Sequence, residues 1–307
     1  MERRSFIKKS AAAASIAGLG VSGVNAMAKS DSKTSFSSDT FKMKFAPHFG
    51  MFKHHAGDDL IDQINFMADQ GFTAFEDNGM MKRDVALQTK IGDTLAKRNM
   101  TMGVFVIQKG GNLNNTLAAG KQEHLDIFLN GCKKAVEVAK RINAKWLTVV
   151  PGAFQRRLPI GIQDAHVIEA LRRGADILEP HGLTMVLEPL SDSPDLYLQR
   201  SDQTYMICKA VNSPACKILF DIYHLQKTEG HIIRNIDLTW DEIGYFQIGD
   251  NPGRKEPTTG EINYKNIFKH IHDKGFNGVL GMEHGNSMQG KEGELAVINA
   301  YRETSNF

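Results

Sequence analysis

The chain has 307 residues, 41% of them hydrophobic, and a formal net charge of +2. That length and apolar content support a substantial core in one large domain or two small ones, while the near-balance of charge argues against a nucleic-acid binder working through a basic face. No apolar run reaches the roughly 18 residues of a membrane-spanning helix, and three cysteines, Cys132, Cys208 and Cys216, do not make a disulfide framework, although one pair is open to oxidation.

The first 28 residues differ in kind from the rest. Glu2-Arg-Arg-Ser-Phe-Ile-Lys-Lys9 is basic, Ser10 to Val24 is rich in alanine and glycine, and Ala26-Met-Ala28 places small residues where a signal peptidase reads them. The stretch reads as a secretory signal. Arg3-Arg4 followed by Ser-Phe-Ile-Lys resembles a twin-arginine signal, which implies handling by the twin-arginine export machinery, cleavage near Ala28 and a periplasmic destination. Losing residues 1–28 removes a net charge of +3 and leaves about −1. Residues 29–41, rich in Ser, Asp, Lys and Thr, are expected to form a flexible tether, and 42–307 a single domain.

From Lys42 short apolar runs alternate with longer amphipathic ones. Strands are expected at 43–49, 72–76, 102–107, 145–150, 183–188, 217–221, 243–248 and 278–283. Between and after them, helices are expected at 58–70, 84–99, 121–143, 162–181, 201–210, 228–235, 263–274 and 293–302. The longest shows a clear stripe of Leu125, Phe128, Cys132, Val136, Ala139 and Ile142. Gly71, Gly182 and Gly275 follow helices as left-handed caps do, and Ser201 is expected as an N-cap. His54-His55 has no matching ligands nearby in the sequence and reads as surface. Trp146 and Trp240 read as packing residues, as do Phe105, Phe154 and Tyr223, which could alternatively wall a pocket.

Eight strand–helix units imply an α/β fold of parallel strands with crossover helices. At this length they favour a (β/α)8 TIM barrel. An open doubly wound sheet would want G-x-G-x-x-G after an early strand, and Gly110-Gly111 does not supply it. A weak internal echo supports the barrel. Gly71-Phe-Thr-Ala-Phe-Glu76, Gly182-Leu-Thr-Met-Val-Leu-Glu188 and Gly275-Phe-Asn-Gly-Val-Leu-Gly-Met-Glu283 each run from a helix-ending glycine through a short strand to an acid.

In such a barrel the site lies at the C-terminal strand ends. The fifth strand ends at Glu188, the sixth at Asp221, the seventh at Gln247 or Asp250, and the eighth at Glu283. Three carboxylates on one rim repel unless some are protonated or a cation sits among them. Oxygen donors suit Mg2+ or Mn2+ better than zinc, which would recruit more His or Cys. Each acid alone has a bland explanation: Glu188 before Pro189 is also the polar end of an extended strand. Recurrence on successive strand ends is not accounted for that way. His48, just past the first strand, is placed to line the same rim, and Glu76 ends the second strand there without an assigned role.

Glu188-Pro, Phe220-Asp-Ile-Tyr-His-Leu-Gln226, Gln247-Ile-Gly-Asp250, Pro252-Gly-Arg-Lys-Glu-Pro-Thr-Thr-Gly-Glu-Ile-Asn263 and Gly281-Met-Glu283 together resemble the hydroxypyruvate isomerase family, within the xylose isomerase-like sugar isomerase/epimerase barrels. The resemblance runs from about Lys42 to the end. It implies one divalent metal ion held by Glu188, Asp221, Gln247 and Glu283, with Gln at 247 indicating the isomerase branch where ketose epimerases carry His. It also implies substrate contacts from His224 and Arg254, with Glu256 shaping the approach. Lys255 and Thr258 depart from the family pattern, in which His or Asn and Gly are common at these places.

The implied reaction is an aldose–ketose type isomerisation, of hydroxypyruvate to tartronate semialdehyde or of a related sugar or sugar acid. A proton next to a carbonyl is removed to give an enediolate and then returned, with Glu188 and Glu283 as the proton-transfer pair. Arg254 would clamp a substrate carboxylate; an ion pair with Glu256 or Glu261 is its alternative. A ketose 3-epimerase of free sugars shares the first step, and export favours a free sugar or sugar acid. A zinc endonuclease of the same barrel class would need more His ligands. A secreted, non-catalytic sugar-binding protein would not need both Glu188 and Glu283. The expected partners are a small keto acid or sugar and the export machinery, with no nucleic acid and no stable membrane anchor; a homo-oligomer is left open.

Overall fold

Parallel neighbours need a long crossover between strands, and the amphipathic runs of this chain supply one after nearly every apolar run. The computed structural model describes residues 40–107 and 112–307, so the signal segment, nearly all of the tether and the Gly110-Gly111 pair lie outside the described residues. The strands are β1 (Lys44–Ala46), β2 (Ala74–Phe75), β3 (Thr101–Met102), β4 (Phe105–Val106), β5 (Trp146–Val149), β6 (Thr184–Leu187), β7 (Cys216–Asp221), β8 (Ile243–Gln247) and β9 (Val279–Gly281). Seven form a sheet in the order β1-β9-β8-β7-β6-β5-β4, and β2 pairs with β3, every pairing being parallel. A bridge between His48 and Glu76 joins β1 to β2, and the Gly103 N–H donates to Phe75 O at 2.7 Å. The result is a (β/α)8 barrel whose third strand is interrupted, β3 and β4 being its two halves. At the interruption the Val104 N–H turns to the Tyr245 hydroxyl at 3.4 Å, which projects into the barrel from β8, and Gly103 leaves room for that hydroxyl, with which a Cβ would collide.

The helices are α1 (Lys53–Ala56), α2 (Leu60–Asp69), α3 (Val85–Lys97), α4 (Gln122–Ile142), α5 (Ile160–Leu178), α6 (Ser201–Val211), α7 (Ile222–Thr228), α8 (Ile232–Thr239), α9 (Tyr264–Asp273) and α10 (Gly290–Thr304). Asp59, Asp84 and Asn263 cap α2, α3 and α9 by accepting first-turn N–H groups, contacts worth about 1 kcal/mol each.

Several local expectations need correction. The helix expected at 228–235 is two helices, α7 and α8, parted at Gly230-His231, both in the left-handed region. The N-cap position of α6 is Arg200; Ser201 is helical, and its N–H and hydroxyl both donate to Glu229. Phe41, placed in the tether, is 8% exposed and stacks on Phe72. His54 and His55 are not an unpartnered surface pair: both Nδ1 atoms and both backbone N–H groups meet the buried Glu294 carboxylate.

Side chains alternate along each strand. Phe45, Phe75, Leu147, Leu187, Phe220 and Phe246 face the helices, in the main core. Ala46, Ala74, Val104, Val186, Leu219, Tyr245 and Val279 fill the barrel interior as a separate apolar layer, with Trp146 packed against it. Two residues further along, about 6.6 Å toward the C-terminal rim, the same strands carry His48, Glu76, Thr148, Glu188, Asp221, Gln247 and Gly281. The alternation that buries an apolar plug therefore also delivers a polar layer directly above it.

Candidate active site

Asp221, Gln247 and Gly281 are register partners across β7, β8 and β9, so their inward positions lie side by side. Asp221 closes β7 and caps α7. Its Oδ1 accepts the His224 N–H at 3.1 Å, leaving Oδ2 for the site, and that first turn returns the His224 ring to the same place. Atoms of Glu188, Asp221 and His224 lie within 4.8 Å of one another. His224 Nε2 stands 4.0 Å from Glu188 Oε1 and 3.7 Å from Asp221 Oδ2. On its far side Nδ1 receives the Ser191 N–H at 3.2 Å and faces the Ser191 hydroxyl at 2.8 Å.

Glu283 is fixed from two directions. Asn78 Nδ2 donates to its Oε1 at 2.9 Å, and Arg254 Nη2 donates to Oε2 at 2.8 Å. The same Arg254 nitrogen is 3.4 Å from Asp221 Oδ2, Nε donates to the Glu283 carbonyl at 3.1 Å, and the guanidinium lies 4.9 Å over the Tyr223 ring. Arg254 thus pairs with the rim acids, not with Glu256 or Glu261. It is the positive charge in contact with the cluster as the structure stands.

The electrostatics match that crowding. Burial pushes the Glu188 carboxyl well above the usual range; Asp221 adds to the shift and Arg254 opposes it. Glu283 is also raised well above that range by burial and then by Glu188, against Arg254. Glu76 is pushed up to about 7 by burial, despite hydrogen bonds from Tyr245 and Gln247. Burial lowers His224, with Asp221 pulling the other way, so the ring is held neutral. Because a peptide N–H can only donate, Nδ1 is the acceptor, and the ring proton resides on Nε2, facing the acids.

The seventh strand offered Gln247 or Asp250, and the structure separates them. Asp250 Oδ1 accepts the N–H groups of Asn251 and Ile262, and Oδ2 accepts that of Gly260. Both oxygens are spent on shaping the loop. Gln247 Nε2 donates to Glu76 Oε1 at 3.0 Å, while its own Oε1 is buried without a hydrogen-bond partner. An orphaned acceptor on the register partner of Asp221 is what a set of oxygen ligands for a divalent cation would provide, and the residues present fit such an ion.

Glu256 and His48, the two other rim residues read from the sequence, both have partners within the protein. Glu256 is 1% exposed, and its oxygens accept the N–H and hydroxyl of Ser287, so it ties two rim loops together. His48 sits half-buried at the rim, its Nε2 3.1 Å from the His284 carbonyl and its Nδ1 2.8 Å from that of Phe49. Thr258 has φ +77°, the left-handed region that favours glycine. Phe105 is fully buried core, Tyr223 supports Arg254, and Phe154 lines a groove of about 820 Å3 that none of the rim acids shares. Asn78, Ser191 and Tyr245 are contributors that the sequence reading missed. Tyr245 was visible as the inward residue two positions before Gln247; Asn78 and Ser191 had no local signal.

A profile described as xylose isomerase-like TIM barrel matches residues 64–302. The 2-oxo-tetronate isomerase of Cupriavidus necator is 34% identical over 248 residues, 78% of this chain and 92% of that protein. The hydroxypyruvate isomerase of Escherichia coli strain K12 is 33% identical over 171 residues, 54% of this chain and 64% of that enzyme, so this match spans less than two thirds of its length. Among solved structures, a family 2 AP endonuclease from Brucella melitensis has a TM-score of 0.70 at 24% identity, covering 82% of this chain and 96% of that one. The E. coli 3-keto-D-glucoside 4-epimerase has a TM-score of 0.71 at 17% identity, covering 87% and 100%. At these identities the structural likeness is one of fold.

Proposed function

The chain belongs to the xylose isomerase-like TIM barrel family, and from that membership we propose that it is a metal-dependent isomerase of a small hydroxy-keto acid or sugar, in the manner of the hydroxypyruvate and 2-oxo-tetronate isomerases it is similar to. The observation that carries this reading is the grouping of Glu188, Asp221 and His224 beside the unpartnered Gln247 Oε1. Glu188, Asp221, Gln247 and Glu283 would hold Mg2+ or Mn2+, which would supply Lewis-acid stabilisation of the enediolate's negative charge.

The chain's own groups perform the proton transfers. A carboxylate of the Glu188–Glu283 pair takes the proton from the hydroxyl-bearing carbon next to the carbonyl, and the electron pair moves into an enediolate. The proton is returned to the former carbonyl carbon while the proton of the neighbouring hydroxyl passes to the former carbonyl oxygen, so the carbonyl moves one carbon along. Glu283 feels the charge of Glu188, which together with burial raises it and keeps it receptive to a proton. His224 Nε2–H donates to a substrate oxygen where negative charge develops. Arg254 is the group that would meet a substrate carboxylate, exchanging its present bonds to Glu283 and Asp221.

The test is solvent exchange: Mn2+-loaded protein lacking residues 1–28 is incubated in D2O with a panel of keto acids and ketoses. Deuterium at the carbon next to the carbonyl, with product formation for at least one substrate, is the expected result. Exchange in none of them would refute the isomerase reading. We also propose that residues 1–28 direct export through the twin-arginine route. Replacing Arg3 and Arg4 by Lys should hold unprocessed precursor in the cytoplasm, and undiminished processed protein in the periplasm would overturn that assignment.

A further inference from the structure

Glu76 ends β2 inside the barrel, 1% exposed, among Glu188, Asp221 and Glu283. A third buried acid beside Glu188 and Asp221, with the half-buried Glu283 near it, is costly, and an apolar or amide side chain would fill the space at less expense to stability. Yet two strands are shaped around this carboxylate. Gln247 Nε2 donates to Oε1 at 3.0 Å and the Tyr245 hydroxyl donates to Oε2 at 2.8 Å, both from β8. On β9, Gly281 leaves the room: a Cβ there would overlap Glu76 Oε2.

What a carboxylate does here that an amide cannot is accept without donating. A glutamine side chain has nearly the same shape with its oxygen and nitrogen exchanged, so shape alone does not decide which end of Gln247 faces the rim. Glu76 decides it by holding the nitrogen, which leaves the buried Oε1 as the unpartnered end. We propose that Glu76 is a positioning residue that sets the Gln247 amide so that an oxygen, and not an N–H, is offered to a divalent cation. The inference rests on the metal-dependent reading above and extends it by one shell of hydrogen bonding.

The experiment measures Mn2+ affinity calorimetrically for the wild type, Glu76→Gln, Tyr245→Phe and the double variant Glu76→Gln/Gln247→Glu. The amide introduced by Glu76→Gln can donate to Gln247 Oε1 and so lets the Gln247 side chain turn over. Affinity of Glu76→Gln should fall about 10- to 100-fold, while its metal-free melting temperature is no lower than that of the wild type. The double variant exchanges the roles, a carboxylate at 247 now accepting from an amide at 76, and should return to within about threefold of wild-type affinity. Tyr245→Phe keeps the Gln247 bond and should also stay within about threefold. Unchanged affinity in Glu76→Gln, or no recovery in the double variant, overturns the inference while leaving the metal-dependent reading intact. A wild type that binds no Mn2+ removes both.

Discussion

The backbone N–H of Ser191 lies 3.2 Å from His224 Nδ1 and thereby decides that Nε2, buried and without a hydrogen-bond partner, is the donor facing Glu188 and Asp221. His224 belongs to the same cluster as the acids, yet a ring holding its proton on Nε2 acts there as a hydrogen-bond donor, not as a metal ligand. His224→Gln should lower solvent-proton exchange by about 10²- to 10³-fold, the usual effect of losing one donor to a developing oxyanion. Its Mn2+ affinity should stay within about threefold of wild type. Calorimetry and exchange on the same preparation check this, and a collapse of affinity would make His224 a ligand after all.

Arg254 lies on the carboxylates that would hold the cation, 2.8 Å from Glu283 Oε2 and 3.4 Å from Asp221 Oδ2. It therefore competes for those oxygens as well as partly neutralising them. Arg254→Met should bind Mn2+ at least as tightly as the wild type, while KM for a carboxylate-bearing substrate rises by about tenfold or more. For a neutral sugar KM should change little. A loss of metal affinity in this variant would show that the guanidinium supports the cation instead of competing with it.

The loop after β8 is built on Asp250, which accepts three backbone N–H groups while 1% exposed. Asp250→Asn would set an N–H against a peptide N–H. Leaving one buried donor unsatisfied costs about 1–3 kcal/mol, or a fall in melting temperature of about 3–10 °C for a domain of this size. Gly260→Ala should be at least as severe, because a Cβ there would collide with the Asn251 carbonyl. Thermal unfolding of the two variants, with metal absent, checks the ordering.

The barrel and its rim were legible because one rule produces both. Val186 leads to Glu188, Leu219 to Asp221 and Tyr245 to Gln247 by the same two-residue step, so a strand read correctly also places its terminal acid. The failures have a common physical origin in partners far along the chain. His54 and His55 are claimed by Glu294 and Ser201 by Glu229, pairs separated by 28 to 240 positions. No local pattern announces such contacts. The α7–α8 break was missed for another reason: helices of seven and eight residues contain too few turns for a periodicity to register.

The same cluster of acids predicts how the metal-free protein responds to pH. Glu76 has an ordinary value of 4.5 and a folded value of about 7, so between them the folded chain keeps a proton that the unfolded chain has lost. Stability contributed by that proton is fully present below the ordinary value and is lost as pH rises through 7, an effect on the order of 3 kcal/mol for this group alone. Glu188 and Glu283 are raised by the same cause and add in the same direction. In the presence of a chelator the melting temperature should fall between about pH 5 and about pH 8, with a shallower fall in Glu76→Gln because one of the three contributions is gone. Saturating Mn2+ should restore most of the loss at the higher pH, since a ligand that binds only the folded state stabilises it in proportion to the logarithm of its excess over Kd. Equal stability of the metal-free protein at both pH values would show that the folded rim does not retain these protons.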